Sequence, residues 1–120
     1  MKKKCAWIIS DDLFFVSNIA SQLKESDWEF KSFSAEVLTT EADAEYPQLA
    51  VVNLNSNKYD PVLVITTLKR SEYIKILGFC GHGQTELFQK GQEAGCDWVV
   101  PNSVAARQLL KFLNANFAQS

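Results

Sequence analysis

At 120 residues the chain is one domain's length, enough to bury a single core without disulfide or metal staples. Its composition, 47% hydrophobic and 22% charged, is that of a soluble globular domain. A net charge of −2 and a pI near 5.3 argue against direct nucleic-acid binding, which calls for a basic excess. Cys5, Cys80 and Cys96 show no C-x-x-C spacing and leave one cysteine over, a pattern of reduced thiols in a cytoplasm. No apolar stretch reaches the roughly 18 residues of a membrane span. Lys2, Lys3 and Lys4 read as a solvated flank leading straight into a strand, without a cleavage signal.

Five short apolar runs alternate with segments of helical period. Cys5-Ala6-Trp7-Ile8-Ile9 is continuous, as in a strand covered on both faces. After Ser10-Asp11-Asp12, the residues Val16, Ile19, Ala20 and Leu23 form one helical stripe. Trp28 to Phe33 reads as a second strand with Trp28, Phe30 and Ser32 on one face, and Ala35 to Ala44 as a helix stopped by Tyr46-Pro47. Leu49 to Leu54 is the third strand and Asn55 to Asp60 a polar turn. Pro61 suits the first helical position, and Val62, Ile65 and Leu68 continue the stripe. Ile74 to Phe79 is the fourth strand, Gly81-His82-Gly83 a loop, and Thr85 to Ala94 a helix with Leu87, Phe88 and Gly91 inward and Gly95 just past its end. Trp98-Val99-Val100 is a short fifth strand ended by Pro101, and the last helix carries Ala106, Leu109, Leu110, Leu113 and Phe117. Alternating units of this kind imply a single α/β domain, a (βα)5 parallel sheet with helices on both faces.

Ligands of such sheets sit beyond the C-terminal strand ends. The chain places there Ser10, Asp11 and Asp12, then Asn53 and Asn55, then Cys80 to Gly83, then Asn102. Two readings of Asp11 and Asp12 stay open: caps of the first helix, or a hard-oxygen site for magnesium. Asn53 ends a buried apolar run, but an amide carries no charge and is a poor nucleophile.

The arrangement resembles the receiver (CheY-like) domain of two-component response regulators from about Ala6 to Phe117. Ile8 to Asp12 is similar to that family's strand and acidic pair. Pro47 to Asn55 is similar to its "PDLVLLDLNLP" stretch, and Ile76 to His82 to "IIALTAH". Ala94 to Asn102, similar to "AGADDYLPK", is the most specific match. The resemblance implies a doubly wound, flavodoxin-like sheet in strand order 2-1-3-4-5. It sets Asn53 on the phospho-accepting aspartate, Cys80 on the Thr/Ser hydroxyl, Asn102 on the lysine and Val99 on the switch aromatic.

Nucleophile, hydroxyl and lysine are thus all replaced, which is the pattern of a pseudo-receiver. An amide cannot form the acyl phosphate, and without the lysine the phosphoryl charge loses its fixed cation. With one carboxylate of the metal site gone, magnesium at Asp11 and Asp12 is expected to be weak or absent, and no other cofactor is implied. A single Asp-to-Asn change in a conventional receiver would explain Asn53 but not Cys80 and Asn102.

The expected function is therefore a non-enzymatic, phosphorylation-independent signalling module in the cytoplasm. It would bind a protein partner or a second copy through the face built by the fourth helix of the family fold, the fifth strand and the last helix. Trp98, Val99 and Arg107 are the interface candidates, with no role for nucleic acid or membrane. Two alternatives remain: a small-molecule or ion sensor using the strand-end pocket, and a small enzyme using Cys80 and the acidic pair. For Cys80 with His82, a packing cysteine beside a loop histidine outweighs a catalytic pair, because no third orienting group is evident. Trp98 reads more readily as mostly buried than as an interface anchor. Phe14 and Phe15 are adjacent, so only one of them can face the core.

Overall fold

The computed structural model of the chain describes residues 4–33 and 47–117; the helix expected over 35–44 lies outside them. In chain order the elements are β1 (Cys5–Ile9), α1 (Leu13–Lys24), β2 (Glu29–Phe33), β3 (Leu49–Asn53), α2 (Pro61–Leu68), β4 (Lys75–Cys80), α3 (Thr85–Ala94), β5 (Trp98–Pro101), α4 (Asn102–Arg107) and α5 (Leu109–Asn116). The strands form one sheet in the order β2-β1-β3-β4-β5, and every pairing is parallel. This is the doubly wound architecture anticipated above.

Strand alternation divides the core into two layers. On one side Ala6, Ile8, Leu49, Val51, Leu77 and Phe79 meet Ile19 and Leu23 of α1 and Ala105, Leu109 and Leu113 of the C-terminal helices. On the other, Trp7, Ile9, Ala50, Val52, Ile76 and Cys80 meet Val64, Ile65 and Leu68 of α2, with Leu87 and Phe88 of α3 packed alongside. Because β1 and β3 are covered on both faces, their sequences are uninterrupted apolar runs.

The helix ends follow local chemistry. Asp12 and Asp60 are N-caps, each accepting from the backbone N–H two residues on at 2.9 and 3.0 Å. Gly95 adopts φ 121° after α3, and the Cys96 N–H returns to Gly91 O at 3.0 Å, closing a Schellman turn that favours glycine there.

Several expectations need correction. Val62 is 39% exposed, and Val64 takes its place on the buried stripe with Ile65 and Leu68. Ser32 is exposed, while Phe33 reaches the second layer through an edge contact with Trp7. β4 runs one residue later than anticipated, through Cys80. The last helix is two helices, α4 and α5, broken at Gln108. Gln22 of α1 fills the break. Its Nε2 donates to Ala105 O at 2.9 Å and its Oε1 accepts from Leu109 N at 2.7 Å. Those are the two groups a continuous helix would join, so a side-chain amide sits inserted in the helical ladder.

Candidate functional site

The C-terminal ends of β1 and β3 lie side by side, with Ile9 opposite Val52, and this register brings Ser10 beside Asn53. Both are buried, Asn53 to 3% exposure. The Asn53 Nδ2 donates to Ser10 Oγ at 3.2 Å, and its Oδ1 accepts from Asn55 N at 2.9 Å, an Asx turn that directs the chain into the next loop. Ser10 Oγ also accepts from Asp12 N at 3.1 Å. The amide therefore uses its donor and its acceptor at once, which an ionised carboxylate cannot do.

Tyr59 closes the site from the β3–α2 loop. Its hydroxyl lies 2.7 Å from Asn53 O and 3.0 Å from Ile9 O, linking the two strand ends. Burial, and secondarily the charge of Asp11, push its ionisation well above the usual phenol range, while the Ser56 hydrogen bond opposes this. The group stays a donor. Sequence reasoning missed Tyr59, because its role depends on the path of the loop.

The acidic pair divides its work. Asp12 caps α1 through Oδ1, the first of the two readings left open above. Asp11 is exposed, and its Oδ1 accepts from Ser56 Oγ at 2.7 Å, pinning the loop. As donors for magnesium the set fits poorly. The third position is the amide of Asn53, already occupied on both ends, and the two acids each hold a protein donor. Among the described residues no three His, Cys, Asp or Glu side chains gather into a possible metal site.

The other sequence-predicted residues do not join this cluster by hydrogen bonds. Cys80 is fully buried in the second apolar layer. Its Sγ has a weak contact to Gln84 O at 3.9 Å, and burial pushes its thiol pKa up. No hydrogen bond joins it to His82, which is exposed. Asn102 begins α4 beyond β5, two strands from Asn53. Its Oδ1 is buried with no hydrogen-bond partner. The Val100–Pro101 peptide just before it is trans.

The interface candidates spread over both faces of β5, which is an edge strand. Trp98 packs in the first layer against Phe112 (centroids 5.7 Å apart) and Phe117 (6.3 Å). Val99 packs in the second layer, and Arg107 is exposed. Phe15 packs on Phe79 at 5.1 Å, while Phe14 is 60% exposed. Asp97, which sequence reasoning passed over, gathers Lys69 Nζ at 2.9 Å and Ile76 N at 2.8 Å at the opposite end of the sheet.

No helix among the described residues is long and apolar enough to cross a membrane. No family model matches the sequence, and no curated protein matches it. Solved structures do. A CheY-like response regulator receiver domain protein of Methanospirillum hungatei superposes with a TM-score of 0.80 at 18% identity, covering 95% of this chain and 93% of that one. The chemotaxis response regulator CheY4 of Vibrio cholerae gives 0.80 at 13% identity, covering 95% and 98%. The receiver domain of NtrX from Brucella abortus gives 0.78 at 17% identity, covering 96% and 99%. Over nearly its whole length, then, the chain has the fold of CheY-like response regulator receiver domains.

Proposed function

We propose that the chain is an atypical receiver-type signalling module that acts by protein–protein contact without phosphorylation. One observation carries this reading: Asn53, where the family resemblance sets the phospho-accepting aspartate, is a buried amide with both ends committed to Ser10 and Asn55. The neighbouring chemistry agrees. Cys80 offers a buried thiol in place of a hydroxyl, and Asn102 offers no positive charge to a phosphoryl oxygen. A lone inactivating change at Asn53 would leave both unexplained. Burial raises the pKa of the Cys80 thiol, the reverse of what a thiol nucleophile needs, so a small enzyme built on Cys80 is the weaker reading.

The contact surface in this reading is the edge formed by α3, β5 and α4–α5, engaging a protein partner or a second copy in the cytoplasm. Among the described residues β5 pairs only with β4, and Arg107 is exposed. The test is incubation with magnesium and either acetyl phosphate or beryllofluoride, followed by intact-mass measurement and amide NMR. No mass gain and no shift at Asn53 are expected. Stoichiometric labelling, or a shift centred on Asn53, overturns the reading.

A further inference from the structure

Of the five large apolar or aromatic side chains exposed among the described residues, four lie at one end of the molecule. Leu13 and Phe14 open α1, and Val62 and Leu63 open α2, each helix starting beyond the C-terminal end of a parallel strand. Leu13 is 78% exposed, Phe14 60% and Leu63 64%. Single exposed apolar residues are ordinary, but a group of them at one end marks a surface that another molecule covers. The two first turns are already tied together. Asp11 Oδ1 accepts from Ser56 Oγ at 2.7 Å, joining the β1–α1 loop to the β3–α2 loop, and the Tyr59 hydroxyl reaches Ile9 O at 3.0 Å. Phe14 meets Phe15 edge-on with centroids 5.1 Å apart, and Phe15 rests on Phe79. An aromatic anchor supported in this way loses little freedom on binding.

The charges on the two loops decide what can sit there. Asp11, Asp12 and Asp60 are exposed, against one exposed cation, Lys58. Asp12 and Asp60 cap their helices through Oδ1, which leaves each a second oxygen for a partner. A second copy docking through the same face would set these carboxylates against its own. An anionic lipid surface would meet the same repulsion. A cationic polypeptide is attracted by the acids while its apolar side chains cover the exposed ones.

We propose that this end of the molecule docks a cationic segment of a partner protein, with apolar side chains towards its two ends and lysine or arginine between them. One end covers Leu13 and Phe14, the basic stretch lies over Asp11, Asp12 and Asp60, and the other end covers Val62 and Leu63. The order apolar, basic, apolar follows from the packing of α1 and α2 on opposite faces of the sheet, which sets their first turns on either side of the strand ends. This surface is separate from the edge of α3, β5 and α4–α5 and does not depend on the state of Asn53. It therefore stands or falls separately from the phosphorylation-independent reading.

The experiment uses the whole chain, labelled for amide NMR, with amidated peptides of about 20 residues, a length of about 30 Å when helical. The first peptide has leucines at both ends and lysines between. A second has the same composition with the lysines at the ends, and a third carries glutamate in place of lysine. Saturable shifts at Leu13, Phe14, Ser56 and Leu63 are expected with the first. The other two are expected to bind at least about tenfold more weakly. Phe14→Ser and Leu63→Ser remove exposed side chains and leave the core intact. Each should weaken the first peptide about tenfold. Asp60→Asn keeps the cap and should flatten the salt dependence of binding. Equal binding of the first two peptides, shifts confined to other residues, or unchanged affinity in Phe14→Ser overturns the proposal. So does self-association of the chain alone that Phe14→Ser abolishes, or binding to phosphatidylglycerol vesicles, because a different occupant then covers this face.

Discussion

Asn53 is suited to its place by having two kinds of hydrogen-bonding atom. On one side its Nδ2 donates to Ser10 Oγ and on the other its Oδ1 accepts from Asn55 N–H, so the neutral amide makes both bonds without a change of protonation. An Asn53→Asp variant would put a carboxylate into a site 3% exposed, near Asp11 and in place of a donor. Burial and the like charge both favour the protonated form, so its ionisation should rise. In metal-free buffer at pH 7 the variant is expected to lose about 1–3 kcal/mol of stability, the scale for a buried group with a lost partner. Because the protonated form recovers a donor, the deficit should shrink as the pH falls towards about 4. Millimolar magnesium should also restore stability at pH 7, because a third carboxylate now faces Asp11 and Asp12. Urea melts with and without magnesium decide it: equal stability of variant and parent under all conditions would show that the amide's two bonds contribute nothing.

At the scale of elements the inserted amide of Gln22 is the informative case. It bridges Ala105 O and Leu109 N, so α1 supplies the partners that the break at Gln108 leaves unpaired. Gln22→Ala removes the wedge and leaves two outcomes that one experiment separates. If the gap persists, both backbone groups lose their partner, stability falls by about 1–3 kcal/mol, and the Leu109 amide exchanges faster. If α4 and α5 join, the Leu109 amide becomes protected and helicity by circular dichroism rises. The expected outcome is the first, because Leu109 is fully buried and the broken geometry already seats it in the core. None of this was legible in the sequence. The stripe of Ala106, Leu109, Leu110, Leu113 and Phe117 runs through the break without a proline or glycine to mark it, and the partner lies 83 to 87 residues away. β1 and β3 were legible for the opposite reason, since double coverage writes an uninterrupted apolar run into the local sequence. The cap at Asp12 was readable as a local signal, as was the Gly95 stop. Tyr59 and Ser56 were not, because their targets, the β1 and β3 ends and Asp11, are set by the loop's route. Val62 was misplaced because three apolar residues in a row, Val62, Leu63 and Val64, fit more than one helical phase.

Among the described residues, the groups whose pKa burial raises lie in one of the two layers. Cys80 is buried in the layer of α2 and α3, and Tyr59 and Cys96 pack against it. Burial raises all three. Cys96 is pushed from about 9 up to about 12, mainly by burial and further by the charge of Asp97, against the opposing influence of the Gly78 backbone and Lys69. Each of these groups is neutral when protonated, and the fold favours that neutral form. Unfolding frees a thiol to ionise near its ordinary value. The stabilisation is therefore intact below that value and is lost as the pH climbs through the folded one. Stability should fall steadily between about pH 9 and pH 12, the interval set by Cys96. The loss should also be lopsided: amide exchange, corrected for its intrinsic pH dependence, should accelerate in Val64–Leu68 and Leu87–Gly91 before Ile19–Leu23 across the sheet. Cys96→Ala removes the largest thiol contribution and should flatten the alkaline slope, although it leaves a small cavity beside Gly78 and Gly91. A parent protein whose two layers loosen together, or a variant with an unchanged slope, would show that alkaline stability is governed elsewhere.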